Sequence, residues 1–255
     1  MSETRKIYFV RLAGRCAILL LCAAAALTHP EYFSILEGMN FFRGFSPLHL
    51  LWCVWVVDMI LQIVPIKNKV PLGSQKLWAN RFRPIREKIN YQALKSYIIT
   101  TTLAAYKVFI LWCTLILGLG VLFYLDIIQP LTLFMISLFF YVCDLICVLI
   151  WCPFRLIMKN RCCTTCRIFN WDHLMMFSPL IFVGGFYCIS LVVLSAAAWL
   201  VWELCVMMYP ERFWVHSNAA LQCSECTDKL CTQYCQKLRP QDESSQSGGL
   251  NSPTC

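Results

Sequence analysis

Runs of about twenty almost wholly apolar residues recur along this chain, and they limit its fold more than any other feature. A helix rises about 1.5 Å per residue, so about twenty residues cross the roughly 30 Å of hydrocarbon in a bilayer. The sequence has five such runs, at residues 16–36, 47–66, 98–125, 131–152 and 177–202. They lack the ten-residue alternation of a membrane barrel, and a helix satisfies all its backbone groups inside hydrocarbon. Only 14% of the residues are charged, too few to clothe a water-soluble globule of this length. The expected fold class is an all-α integral membrane protein. Residues 1–209 form its transmembrane helical domain of about five spans, the last of them long.

Basic residues set the expected orientation. Arg5, Lys6, Arg11 and Arg15 precede the first span, a basic loop at 67–95 joins spans two and three, and Arg155, Lys159, Arg161 and Arg167 lie in the 153–176 loop. Only Arg43 falls in the opposite connections. By the positive-inside rule the N-terminus and both basic loops face the cytoplasm, which places the protein in the cell (plasma) membrane. The net charge of +8 then serves topology and anionic lipid, and no nucleic-acid partner is expected. "AAAALTHP" has the look of a signal-peptide end, but Arg15 abuts the run and no clear polar break follows it, so a retained anchor is expected. The 67–95 loop, with Trp78 and Phe82 among its basic residues, reads as an interfacial segment on the lipid bilayer.

"WVVDMILQIVP" in span two and "YVCDLICVLIWCP" in span four share an order of residues, and "RCAILLLC" and "KVFILWC" agree more weakly in the spans before them. The pattern suggests one helical hairpin used twice. Asp58, Lys107 and Asp144 should share a level about 13 to 17 Å from the cytoplasmic edge. A lone charge there costs at least about 2.5 kcal/mol, so each should face the bundle interior and find a partner. Lys107 is expected to pair with Asp58 or Asp144. The remaining carboxylate either titrates along a proton or cation path or bonds to hydroxyls such as those of Thr100 to Thr102.

The seventeen cysteines fall into groups. Nine lie within or beside the apolar runs as small packing residues, and the terminal Cys255 forms no prenylation box. Cys162, Cys163 and Cys166 sit in "KNRCCTTCRIFNWDHLMM", with Asp172 and His173 nearby. Cys163 and Cys166 have the C-x2-C spacing of two thiolates that chelate one ion or close a small disulfide. Arg161 and Arg167 favour thiolate. With His173 and either Cys162 or Asp172 they make up the four ligands of a zinc site. The same stretch also suits an interfacial loop, with Trp171 at the membrane surface and Asn170 or Asp172 capping the next helix. The Cys-rich tail at 210–238 carries Cys223, Cys226, Cys231 and Cys235, whose thiolates could form a second zinc site or two disulfides. Their spacing departs from that of a ferredoxin-type iron–sulfur run. Residues 239–255 read as a disordered end.

"RCCTTCRIFNWD" followed by "MMFSPL", a later "PERF" and the Cys-pair tail resembles an uncharacterised family of bacterial multi-span integral membrane proteins. The resemblance covers mainly residues 158–231. It implies a multi-span membrane protein and no particular activity.

The apolar segment 174–209 is longer than one membrane thickness. A break at Gly184-Gly185 would return the tail to the cytoplasm, where both cysteine groups could share one site. A single long helix is expected instead, because nothing near the middle reads as a hairpin turn, and it puts the tail outside. No Walker loop, dinucleotide fingerprint, nucleophile elbow or H-E-x-x-H is present, so no enzyme class is indicated; "LGLG" at 117–120 reads as helix packing. The function expected first is metal binding or thiol redox cycling at the cytoplasmic-face cysteines, with proton- or cation-coupled transport past Asp58, Lys107 and Asp144 and non-catalytic membrane scaffolding as the alternatives. A homo-oligomer or another membrane protein is an open partner for any of them.

Overall fold

The structure, a computed structural model, describes residues 3–64, 82–85, 89–158 and 171–222. Most of the 67–95 loop lies outside the described residues. So do Cys162, Cys163, Cys166, Cys223, Cys226, Cys231 and Cys235 and the whole of 239–255.

The described chain is helical, with one isolated β-bridge between Pro84 and Asn218. The long helices are α1 (Glu3–Thr28), α2 (Leu48–Ile63), α3 (Tyr91–Tyr124) and α4 (Pro130–Leu149). Two short helices follow, α5 (Phe154–Met158) and α6 (Asp172–Phe177), and then the long α7 (Phe186–Met208). Four of these, α1, α3, α4 and α7, are long and apolar enough to cross a membrane. The 16 residues of α2 span about 24 Å.

Local chemistry sets the helix ends. Proline disfavours helix at the residue before it, and α1 stops at Thr28, just before His29-Pro30. The first span therefore ends earlier than its apolar run, and residues Pro30–Leu36 form a 3-10 helix. At the start of α3 the Asn90 side chain accepts hydrogen bonds from the Gln92 and Ala93 amides, each at 3.1 Å, satisfying two of the orphan donors of a helix start. Pro130 opens α4, where its missing N–H costs nothing.

The expected long fifth helix does not form. After α6 the chain takes a 3-10 turn over Ser178–Phe182, bends at Val183 to Gly185, and starts α7 at Phe186. Gly184 has φ +76°, a conformation glycine adopts without a Cβ penalty. A Cβ on Gly185 would collide with the Leu36 carbonyl, and the Phe186 amide donates to the Gly38 carbonyl at 2.9 Å. The turn is thus pinned to the segment that follows α1. Segment Asp172–Phe182 and helix α7 run in opposite directions.

Side-chain contacts order the bundle into two ends. At one, the starts of α2 and α7 meet: the Tyr187 hydroxyl donates to the Leu48 carbonyl and Trp52 Nε1 to Ser190 Oγ at 2.9 Å. At the other lie the basic start of α1, the C-terminal ends of α2, α4 and α7, and the start of α3. There Trp202 stacks edge-on with Phe213, Tyr97 approaches Trp214, and residues 83–85 bind residues 217–219 through backbone hydrogen bonds. Trp171 and Gln222 both lie at this basic end.

Trp55, Phe134, Phe177 and Tyr187 are fully buried where α2, α4, the 172–182 segment and α7 converge. The Trp55 ring lies 5.1 Å from Phe177 and 5.7 Å from Tyr141, edge to face, a geometry aromatic pairs prefer. Gly120 of α3 lets the Phe182 ring close against its backbone, the helix-packing role read from "LGLG". The outside is strongly apolar, with Leu20, Leu21, Ile110, Leu117, Val121 and Val193 all exposed. Soluble monomers rarely expose contiguous surface of this kind, and it is consistent with a bilayer.

Candidate functional site

Asp58 and Asp144 each sit five residues before the end of their helix, on α2 and α4, so they lie about 7.5 Å inside the helix ends. Both are closer to their helix ends than the sequence count implied, because both helices stop earlier than their apolar runs. The pairing differs from the expected one. Lys107 lies on an exposed face of α3, while the neighbouring Ala105 and Val108 are buried. A helix turns about 100° per residue, so a side chain one position off the buried stripe faces outward at the same depth. The Asp144 partner is Arg15 of α1, Nη1 to Oδ2 at 2.6 Å. Arg15 also donates to the Tyr141 carbonyl at 2.6 Å and lies over the Tyr141 ring at 3.9 Å. One guanidinium is thus held by a carboxylate, a backbone oxygen and an aromatic face.

Asp58 meets His173 instead. His173 is the second residue of α6, and its ring is buried, with side-chain exposure of 5%. Nε2 lies 3.3 Å from Asp58 Oδ2, and Nδ1 lies 2.9 Å from Asp172 Oδ1 and 2.8 Å from the Gln62 side-chain amide nitrogen. Asp172 Oδ1 also accepts the His173 backbone N–H at 2.7 Å, which fixes that carboxylate at the helix start. The Asp58 side chain remains 33% exposed and is the accessible member of the group. The two sets interact electrostatically, Arg15 with Asp58 and Asp144 with Asp172 and His173. Thr100 and Thr101 do not serve the carboxylates, since their hydroxyls bond to carbonyls of their own helix.

The hydrogen bonds of His173 admit three arrangements, the first an imidazolium that donates from Nε2 to Asp58 and from Nδ1 to Asp172. When Nδ1 is bare it accepts from the Gln62 amide, and Nε2–H donates to Asp58. When Nδ1 carries the proton it donates to Asp172, Nε2 accepts from a protonated Asp58, and Gln62 turns its oxygen inward or moves to Asp172 Oδ2, 3.4 Å away. An imidazole between two carboxylates can therefore take a proton on one side and release it on the other. Asp58, Asp144 and Asp172 outnumber the Arg15 cation, so these side chains carry net negative charge whichever form His173 takes. Negative charge in a low-dielectric interior attracts a proton or a small cation.

A second polar contact joins the same end: Trp171 Nε1 donates to Glu203 Oε1 of α7 at 2.8 Å, with both residues buried. His173, expected as a metal ligand, has both ring nitrogens engaged inside the bundle. Among the described residues no group of three or more His, Cys, Asp or Glu is arranged to hold a metal ion. The nine cysteines placed in the apolar runs lie on or beside helices and are not joined in disulfides.

Sequence reasoning picked out Asp58 and Asp144 but missed Arg15, which counted as an N-terminal topology charge, and Gln62. The available signal was position: Arg15 lies 12 residues into α1, well inside the helix and not at its start. No protein-family model, no curated protein and no solved structure matches the chain.

Proposed function

We propose that this protein is a small membrane transporter that couples a solute, in the first instance a monovalent cation, to protons. Asp58 and His173 carry the proton, and Arg15 and Asp144 hold the charge balance beside them. The observation that carries the reading is the burial of His173 between Asp58 and Asp172, with Asp58 left accessible. Ionisable groups this far inside an apolar bundle are costly and mark ion or proton paths. The broken 172–182 segment agrees, because discontinuous helices line the binding sites of many secondary transporters. In this reading the basic end faces the cytoplasm of the cell membrane, and the 172–182 segment and α7 form a third hairpin.

The test is cation-induced proton movement in everted membrane vesicles. Respiring vesicles acidify inside and quench acridine orange, and sodium, potassium or lithium chloride is then added. The expected result is recovery of fluorescence with at least one cation, lost in Asp58→Asn and His173→Gln and kept in the Cys162, Cys163, Cys166→Ser triple variant. Recovery no greater than in vesicles lacking the protein, for all three cations, would overturn it.

Metal or thiol chemistry is the second reading, favoured by one observation. Trp171 and Gln222, the described residues nearest in sequence to the two cysteine groups, lie at the same end of the bundle. In a cytoplasmic setting thiols persist and disulfides do not, which suits zinc better than paired cystines. Elemental analysis of protein purified without oxygen or chelator tests it. Near-stoichiometric zinc that is lost in the triple serine variant supports a metal site, and metal-free protein excludes the metal and leaves thiol chemistry to a thiol-titration assay.

A further inference from the structure

We infer that the α2–α4 seam holds a bound water between Trp55 and Ser137, which extends the proton path inward from the charged cluster; this rests on the transport reading above. Among the described residues, Trp55 Nε1 and Ser137 Oγ are buried polar atoms without a hydrogen-bond partner, and both residues are fully buried. They face one seam. The Trp55 ring lies 6.1 Å from Phe134 and 5.7 Å from Tyr141, and these residues flank Ser137 at the i−3 and i+4 positions that share a helix face.

The serine hydroxyl is unusual for this bundle. Other hydroxyls on helices, those of Thr100, Thr101, Thr114, Ser190 and Ser195, donate to a carbonyl three or four residues back. That local bond is open to any helical serine, yet Ser137 does not make it. An indole N–H donates only, whereas a hydroxyl both donates and accepts. A water that accepts from Trp55 and exchanges a proton with Ser137 satisfies both, as buried waters commonly do for polar groups left over in a core.

Position gives this water a use. Ser137 stands one turn along α4 from Tyr141, whose carbonyl and ring hold the Arg15 guanidinium, and Asp144 follows one turn later. On α2, Trp55 precedes Asp58 by three residues. The seam thus runs from Asp58 and Asp144 past Tyr141 to the water, and stops at the buried Phe134 and Tyr187 rings. A proton taken up at Asp58 has a polar station beyond the cluster before that aromatic barrier.

Hydroxyl-radical labelling of the full-length protein in nanodiscs reads bound water directly, because radicals formed at an internal water modify side chains that bulk solvent does not reach. Trp55 is expected to be modified well above Trp171, which is equally buried but bonded to Glu203. Ser137→Ala should abolish that excess and slow cation-induced proton movement, while Trp55→Phe keeps the ring and slows it likewise. Unmodified Trp55 overturns the water. Labelled Trp55 with unaltered proton movement in both variants overturns its place in the path. Labelling is readable whether or not the vesicle assay succeeds, so failure of the transport reading and failure of this inference are distinguishable.

Discussion

Arg15 on α1 and Asp144 on α4 form a 2.6 Å ion pair across 129 residues of sequence, with side-chain exposures of 13% and 18%. Removing one partner leaves a buried charge alone, which typically costs about 3 to 5 kcal/mol. Arg15→Ala should therefore lower the melting temperature in detergent sharply. The Arg15→Leu, Asp144→Leu double variant should recover most of the loss. A double variant no more stable than Arg15→Ala would show that the Tyr141 contacts, and not the pair, hold α1 in place.

The two glycines of the turn before α7 should respond differently to alanine. Gly184→Ala introduces a side chain at φ +76° into open space and should cost about 1 to 2 kcal/mol. Gly185→Ala drives a methyl group into the Leu36 carbonyl, and neither backbone can yield without losing the Phe186 to Gly38 bond. Monodisperse protein on fluorescence-detected size exclusion should be retained for the first variant and lost for the second.

The turn also fixes sidedness. Because the chain reverses there, Gln222, the last described residue, lies at the same end of the bundle as the start of α1. A C-terminal green fluorescent protein should fluoresce in cells, and a C-terminal alkaline phosphatase should be inactive. The opposite pattern is what a single long last helix would give.

Asn218 locks the described C-terminal segment to the loop ahead of α3. Its side chain accepts from the Arg83 and Ala220 amides at 3.2 and 3.1 Å and donates to the Arg212 carbonyl at 2.9 Å. Asn218→Ala strands these groups, at about 1 to 3 kcal/mol. The amides of Ile85 and Ala219, bonded across the two segments, should lose protection in hydrogen exchange while those in the middle of α4 keep theirs.

Much of the bundle is legible in the sequence because helix formation across an apolar run is local. Runs 47–66, 98–125 and 131–152 became α2, α3 and α4 with ends shifted by a few residues. The same locality hid the site. Asp58, Lys107 and Asp144 were read to one depth by counting along each helix, but counting does not give rotation about the axis. Lys107 therefore took an interior role that Arg15 holds, and the contact of His173 with Asp58 was not seen.

The sequence by itself determined a helical chain built on five long apolar runs, because hydropathy and length act residue by residue; the structure makes four helices long enough to span. The sequence also marked Gly184-Gly185 as the one place where the last apolar segment could break. Only the tertiary structure decided that it does break, since the turn is stabilised by the close approach of Leu36 and Gly38 from far away in the chain. The partners of the buried charges were decided in the same way: an ion pair depends on which faces of two helices meet, and that is set when the whole bundle packs.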